Sequence, residues 1–275
     1  MEKKVYHVRQ SVCYYVKSAV VVQSNDPKSE LSLPIFPDGH PGIMYQQTES
    51  GMLFLPDRKK VSALFVYGQT TIPLFLQARG SYRYAVLELY PFALRYLLDI
   101  DPGLLANNCY DLLKQKETGT FICKDKLAAS DDSAALIEHI FDIIEDLLSR
   151  RRIARISPVH AAIHEIISNK GLVKISEVRE KANLTGRTFE RNFLREVGLT
   201  PKQFAKIIQF KCSLNELISN NDEGKISNVA FDSGYADHSH FARVFKKFSG
   251  LSPKEYRERL LSGAFADFVL FGQVH

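Results

Sequence analysis

Short apolar runs separated by turn-forming residues fill the first 110 residues of the chain. The runs VYHV, VCYYVKSAVVV, GIMYQQ, ALFVYG and YRYAVLELY are rich in β-branched and aromatic residues, and Pro, Gly, Asp and Asn separate them. This pattern predicts a β-rich domain over residues 1–130, either an α+β domain or a small barrel. Two short helices are expected near its end, in PFALRYLLDI, which Pro91 opens, and in GLLANNCYDLLKQ.

The apolar period changes to three and four residues after this region. It predicts an amphipathic linker helix within residues 131–156, with Ser130 or Asp131 as its N-cap. Two partners for its apolar face remain open, the N-terminal domain and the same helix of a second subunit. The apolar positions are Leu136, Ile137, Ile140, Phe141, Ile144, Leu147 and Leu148.

Residues 157–261 have a wholly helical pattern that repeats itself after 52 residues. Seven positions within sixteen are identical or similar between the two copies, which indicates a duplicated structural unit. The equivalent pairs are Phe189 and Phe241, Phe193 and Phe245, Gly198 and Gly250, Leu199 and Leu251, Thr200 and Ser252, Pro201 and Pro253, and Phe204 and Tyr256.

Each copy is predicted to contain two helices joined by a sharp turn. Asn183 in the first copy and Gly234 in the second are residue types that readily adopt a positive φ, and Thr185 and Asp237 follow as candidate N-caps. Two helices across a turn of three to four residues form a helix-turn-helix, whose second helix enters the major groove of DNA. The fold class is therefore predicted as α+β, a β-rich N-terminal domain followed by an all-α DNA-binding domain with two helix-turn-helix units.

The helical phase predicts which side chains face DNA. Two Phe residues four positions apart in each second helix belong to the core, so the remaining polar side chains point outward. Arg can pair with guanine, Glu with the amino group of cytosine, and Ser or His with several bases. Solvated surface positions are the alternative for each of these residues. The candidate DNA-binding residues are Arg187, Glu190, Arg191, His238, Ser239, His240 and Arg243.

Charge supports a polyanionic partner for the helical region. The chain of 275 residues carries a net charge of +5, and that charge is unevenly distributed. Residues 1–150 contain 16 Lys and Arg against 18 Asp and Glu, whereas residues 151–260 contain 20 against 12. A basic C-terminal region beside a slightly acidic N-terminal one is typical of a nucleic-acid-binding domain joined to another kind of domain.

The stretch ISNVAFDSGYADHSHFARVFKKFSGLSPKEYR, together with the paired helix-turn-helices, resembles the DNA-binding domain of the AraC/XylS family of bacterial transcription regulators. The resemblance covers residues 157–261 and implies seven helices. It further implies that the helix in PKQFAKIIQFKCSLNELISN holds the two reading helices roughly 34 Å apart, one turn of DNA. Its implied partners are double-stranded DNA and RNA polymerase. The first copy departs from the family pattern at Arg179, Asn183 and Leu194.

The N-terminal half resembles an uncharacterised domain family found ahead of AraC-type modules, through LPIFPDGHPGIMYQ, YGQTTIPLFL and VLELYPFALRYLLDI. The resemblance implies a sensor or interaction domain, with a small-molecule effector and a homodimer as further partners. A domain that only dimerises a constitutive DNA binder is one alternative, and the effector and the direction of regulation remain open.

Enzyme activity in the N-terminal half is the second alternative. His7, His40 and His139 are isolated there, and the half contains no metal-binding His pair, nucleophile elbow or phosphate-binding loop. Asp38 and His40 lie in FPDGHPG, which favours a turn over an acid/base pair. We therefore predict no catalytic residues, no metal and no cofactor.

The two ends of the chain complete the sequence-based predictions. The N-terminus lacks a signal-peptide pattern, and no apolar run reaches the roughly 20 residues that span a bilayer, so a cytoplasmic protein without membrane contact is expected. The tail over residues 262–275 is apolar, and we expect it to dock on a domain surface or a partner.

Overall fold

The computed structural model of the chain describes residues 1–114, 124–130, 132–150, 157–219 and 226–262. A β-rich N-terminal half is followed by a helical C-terminal half, as the sequence predicts. The ten strands are β1 (Glu2–Tyr6), β2 (Val16–Ser24), β3 (Glu30–Ile35), β4 (Gly42–Thr48), β5 (Leu53–Leu55), β6 (Lys59–Lys60), β7 (Leu64–Tyr67), β8 (Leu74–Arg79), β9 (Tyr82–Leu89) and β10 (Cys109–Asp111).

The strands form two antiparallel sheets. The larger has the order β1-β2-β9-β4-β7-β10, and the smaller has the order β3-β8-β5-β6. Val20, Val22 and Val86 lie on the face of the larger sheet that packs on the smaller sheet. Ala19 and Val21, which alternate with Val20 and Val22 along β2, point to the opposite face. Both faces of the central strands are therefore buried, which explains the unbroken apolar run in β2.

Two helices cover that opposite face of the larger sheet. They are α1 (Ala93–Leu98) and α3 (Ser133–Ser149), and a short helix α2 (Lys124–Ala128) precedes the second. The apolar side of α3 packs into the same core as Val21, Ile43 and Leu87. Of the two partners open for this helix, the N-terminal domain is therefore the one it contacts. Its N-cap is Asp132, whose carboxylate accepts a hydrogen bond from the Ala135 amide, one to two residues later than predicted.

The second predicted helix of the N-terminal half, in GLLANNCYDLLKQ, is wrong. Residues Pro102–Leu105 form one 3₁₀ turn, β10 follows, and Leu112–Lys114 form another 3₁₀ turn. Asn107 between them has a φ of 57°, a conformation that ends helices and that Asn tolerates. Its side chain contacts Thr71. The apolar residues of this segment therefore lie in a strand and two 3₁₀ turns instead of a helix.

The C-terminal half contains seven helices within its described residues, in agreement with the number that the AraC/XylS resemblance implies. Phe189, Phe193, Phe241 and Phe245 lie at their common core. The helices are α4 (Pro158–Ser168), α5 (Ile175–Lys181), α6 (Gly186–Val197), α7 (Pro201–Ser219), α8 (Ile226–Asp232), α9 (His238–Ser249) and α10 (Pro253–Leu261).

The two halves pack directly on each other. Phe36 and Phe92 of the N-terminal half belong to the same apolar cluster as the helices of the C-terminal half. The Phe92 ring stacks on His160 of α4 with 4.0 Å between ring centroids, and Phe36 meets Tyr256 of α10 at 5.9 Å. The apolar tail predicted to dock on a surface lies outside the described residues from 263 onward.

Candidate nucleic-acid interface

The first helix-turn-helix consists of α5 and α6. Asn183 in the turn has a φ of 53°, the conformation predicted for it. The Thr185 hydroxyl accepts a hydrogen bond from the Thr188 amide at 3.3 Å and so caps α6. Phe189 and Phe193 are buried with their rings 5.9 Å apart, which fixes the inward face of α6. The turn, cap and core positions of this unit are as predicted.

The second helix-turn-helix consists of α8 and α9 and repeats the same construction. Gly234 in its turn has a φ of 73°. The Asp237 carboxylate accepts a hydrogen bond from the His240 amide at 2.7 Å, and this bond lowers the pKa of Asp237. Phe241 and Phe245 are fully buried. A carboxylate at the N-terminus of α9 is also favoured by the helix dipole.

The predicted DNA-binding residues lie on the outward faces of α6 and α9. Arg187, Glu190 and Arg191 are exposed on α6, as are His238, Ser239 and Arg243 on α9. The exposed guanidinium and imidazole groups have the donors that base edges require.

His240 differs from the other six candidates. It is half-buried, and its ring meets Tyr235 edge-on at 5.6 Å. Tyr235 is itself buried, so this contact holds the imidazole beside the turn of the second unit. His240 therefore has the least freedom of the seven to reach a base.

Two further cations on α9 were absent from the predicted set. Lys246 and Lys247 are exposed in its last turn, and the Lys247 ammonium lies 5.6 Å from the centre of the Phe248 ring. Basic residues near a helix C-terminus stabilise the helix dipole without any ligand, so sequence alone gave no reason to assign them to DNA. They make α9 more positive than α6, which carries Glu190 and Glu196 among its arginines.

The described residues offer little for other chemistry. No group of three or more His, Cys, Asp or Glu side chains in them is arranged to hold a metal ion. Asp38 and His40 form the predicted turn, in which the Asp38 carboxylate accepts the His40 amide at 2.9 Å. Within the same described ranges, no helix has the length and apolar character needed to cross a membrane.

Comparison with known proteins agrees with this geometry. Residues 179–259 match the model of a helix-turn-helix domain family, and residues 6–111 match a domain of unknown function, DUF6597. The first match begins at Arg179, in the last turn of α5, and extends into α10, so it includes both reading helices. The chain is a DNA-binding transcription regulator of the AraC type.

Individual relatives of this AraC-type regulator are distant. The transcriptional activator RhrA of Rhizobium meliloti is 22% identical over 255 residues, 86% of this chain and 80% of RhrA. The HTH-type transcriptional activator RhaS of Escherichia fergusonii is 28% identical over 81 residues, 30% of this chain and 28% of RhaS. The crystal structure of ToxT from Vibrio cholerae O395 aligns with 87% of this chain and 96% of that one, at 14% identity and a TM-score of 0.45.

Proposed function

We propose that the protein binds double-stranded DNA with α6 and α9 in two successive major grooves. The observation that carries this proposal is the duplication, two helix-turn-helix units with the same turn, cap and core and with a polar outward face on each second helix. The helix α7 between them has 19 residues, about 28 Å at 1.5 Å per residue. That length is compatible with readers one DNA turn apart.

The side chains suggest different roles for the two readers. Arg187 and Arg191 on α6 suit guanine, and Glu190 between them can accept from the amino group of cytosine. His238, Ser239 and Arg243 on α9 can read several bases, with His240 limited by its contact with Tyr235. Since α9 also carries the two lysines of its last turn, we propose that the second reader binds phosphate more strongly.

The N-terminal domain is proposed to sense or to mediate interactions rather than to catalyse a reaction. RhrA and RhaS are named as activators, which supports activation through RNA polymerase. A small-molecule effector and a homodimer remain proposals. The apolar face of α3 is buried against the sheet, so a dimer requires another surface. We also propose that the protein acts in the cytoplasm, because a bacterial regulator that binds DNA acts there.

Salt dependence tests the DNA-binding proposal. Each phosphate neutralised by Lys or Arg releases condensed counterions, so log K is expected to fall by roughly 0.9 per contact per decade of salt. Binding isotherms of the full chain on a 30-base-pair duplex selected from a random library, recorded at several salt concentrations, measure this slope. Failure to select any duplex, or a slope of zero on the selected one, would contradict the proposal.

Removal of Arg243 tests base reading by α9. Arg243→Ala is expected to cost about 1–3 kcal/mol of binding on the selected duplex and little on random DNA, because a bidentate base contact is lost. The measurement is the dissociation constant on both duplexes at one salt concentration. Arg79→Ala is the matched control, since Arg79 is an exposed arginine of the N-terminal domain. Equal losses on both duplexes would identify Arg243 as a phosphate contact instead.

A further inference from the structure

The N-terminal domain contacts the C-terminal end of both reading helices. Gly198 and Gly250 end α6 and α9 with φ values of 80° and 77°. A Cβ atom on Gly198 would lie 2.7–2.8 Å from the backbone of Pro102 and Gly103, and one on Gly250 would lie 3.4 Å from Cγ of Pro73. Two separate loops of the N-terminal domain therefore abut the two readers at equivalent positions.

The same domain also contacts the helices between and beyond the readers. A Cβ atom on Gly39 would lie 2.7 Å from Cδ1 of Ile208 and 3.0 Å from Cε2 of Phe204, both on α7. Phe36 packs on Tyr256 of α10. The N-terminal domain thus spans the whole distance from the end of α6 to the end of α9.

A chain of three polar side chains, of which His160 and Glu196 are buried, joins the N-terminal domain to the first reader. The Tyr14 hydroxyl lies 2.8 Å from Nδ1 of His160, and Nε2 of His160 lies 3.1 Å from Oε2 of Glu196 on α6. The His160 and Glu196 side chains are only 5% and 3% exposed. The His160 ring therefore lies between the Tyr14 hydroxyl of the N-terminal domain and the Glu196 carboxylate of the first reader.

A second buried polar cluster joins the N-terminal domain to α7. The ammonium of Lys211 lies 3.3 Å from Oε1 of Glu88 and 3.7 Å from Oδ2 of Asp38. Lys17 approaches the other oxygen of Glu88 at 3.0 Å, and its ammonium lies 3.4 Å from Nε2 of His40. Lys211 is 12% exposed and Glu88 is 1% exposed. Lys17 and Glu88 pair within the N-terminal domain, whereas Lys211 is paired only when both halves of the chain are in register.

Buried polar contacts restrict an interface more narrowly than apolar ones. An apolar surface tolerates small shifts, whereas a displaced buried charge or hydrogen-bonding group loses its partner. From this arrangement we infer that the N-terminal domain is a template that sets the distance between α6 and α9, with Tyr14 and Lys211 as positioning residues for DNA reading. The inference rests on the proposed binding of two successive grooves.

A fixed distance between α6 and α9 has a measurable consequence for the spacing of the two DNA sites. One added base pair moves the second reading site about 3.4 Å along the axis and turns it by about a tenth of a turn. A rigid pair of readers cannot follow that change and loses part of its base contacts. A pair released from the template can follow it.

The experiment compares three duplexes, the duplex selected from a random library by the full wild-type chain and two versions with one central base pair inserted or removed. Wild type is expected to bind the altered duplexes about tenfold or more weakly, since lost base contacts cost that much. In full-length Tyr14→Phe and Lys211→Met this ratio is expected to fall to about threefold or less. Tyr110→Phe and Lys28→Met make the same chemical changes at exposed positions outside the polar contacts described between the two halves, and they should keep the wild-type ratio.

The outcomes separate positioning from stability. If both variants bind more weakly or melt earlier but keep the wild-type ratio between duplexes, the template is wrong and the polar contacts are only structural. If the two control variants lower the ratio of binding between duplexes as much as Tyr14→Phe and Lys211→Met do, the template is also wrong. If wild type selects no duplex at all, the two-groove function fails first and the template fails with it. Lys211→Met leaves Glu88 paired with Lys17, and Tyr14→Phe removes one hydroxyl, so either folded variant decides the question.

Discussion

Replacement of Phe241 or Phe245 by alanine is expected to lower the free energy of unfolding by about 3–5 kcal/mol in each case. Both side chains are fully buried. The Phe245 ring lies 5.4 Å from Phe210 of α7 and 5.6 Å from Tyr256 of α10, and the Phe241 ring lies 5.1 Å from Tyr235. Alanine would leave a cavity at the junction of these helices. Urea denaturation of the full chain, followed by helical circular dichroism, measures the loss.

Phe231→Ala is the matched control for this prediction. Phe231 lies on α8 in the same helix-turn-helix but is 82% exposed, so its removal should change stability by no more than about 0.5 kcal/mol. A Phe241 or Phe245 variant that unfolds at the midpoint of the control would show that the helical phase of α9 is wrong. The predicted DNA-facing residues of α9 would then change as well.

Local chemistry explains why the helix-turn-helix units could be predicted from sequence. Few residue types other than Gly and Asn adopt a positive φ, so Asn183 and Gly234 mark the turns. Thr185 and Asp237 can accept hydrogen bonds from the first amides of the helices that follow them. These requirements act between neighbours along the chain. The same turn and cap pattern occurs in both copies of the duplication, so a wrong assignment in one copy would have disagreed with the other copy.

The packing of the two halves could not be predicted in the same way. Glu88 and Lys211 are 123 residues apart, and the sequence patterns around them do not link one to the other. Tyr14 and His160 are 146 residues apart and read singly as an exposed aromatic residue and a helical histidine. No periodicity assigns a partner to an isolated charge, because partners are set by how whole layers pack. The sequence therefore predicted the outward face of the DNA-binding domain and missed the face that the N-terminal domain covers.

The linker helix shows the same limit for apolar residues. The period of Leu136, Ile140 and Phe141 predicts an apolar face but contains no information on what covers it. The sheet does so here, since Val21 and Leu87 on its second face are apolar as well. The continuous apolar run of β2 was the available signal in the sequence. It indicates a strand buried on both faces, which requires a layer such as the linker helix on the second face of the sheet.

Glu88→Gln is expected to lower the free energy of unfolding by about 3–5 kcal/mol at pH 7, the usual result of breaking a buried ion pair from one side. The Glu88 carboxylate is the common partner of Lys17 and Lys211 and also accepts a hydrogen bond from the Ser18 hydroxyl at 3.1 Å. Glutamine keeps the shape but removes the negative charge. Two ammonium groups would then remain in a largely dry interface without their main counter-charge. Denaturant unfolding of the full chain measures the difference.

The pH dependence of this difference distinguishes a lost charge from a packing defect. Burial alone would raise the pKa of Glu88, but the charges of His40, Lys211 and Lys17 lower it well below its ordinary value of 4.5. A carboxylate with a lowered pKa stabilises the fold above that ordinary value and loses its effect as the pH falls through the folded pKa. Burial raises the pKa of Asp38 to about 6, so at pH 5 Asp38 is mostly neutral and cannot replace Glu88. The difference in the free energy of unfolding between wild type and Glu88→Gln should therefore be as large at pH 5 as at pH 7 and should narrow only below about pH 4.5.

Glu30→Gln is the control, at a carboxylate that is 75% exposed, and it should change the free energy of unfolding by no more than about 0.5 kcal/mol at either pH. A gap that is independent of pH down to pH 3, or one already halved at pH 5, would contradict a charged Glu88 at the centre of the cluster.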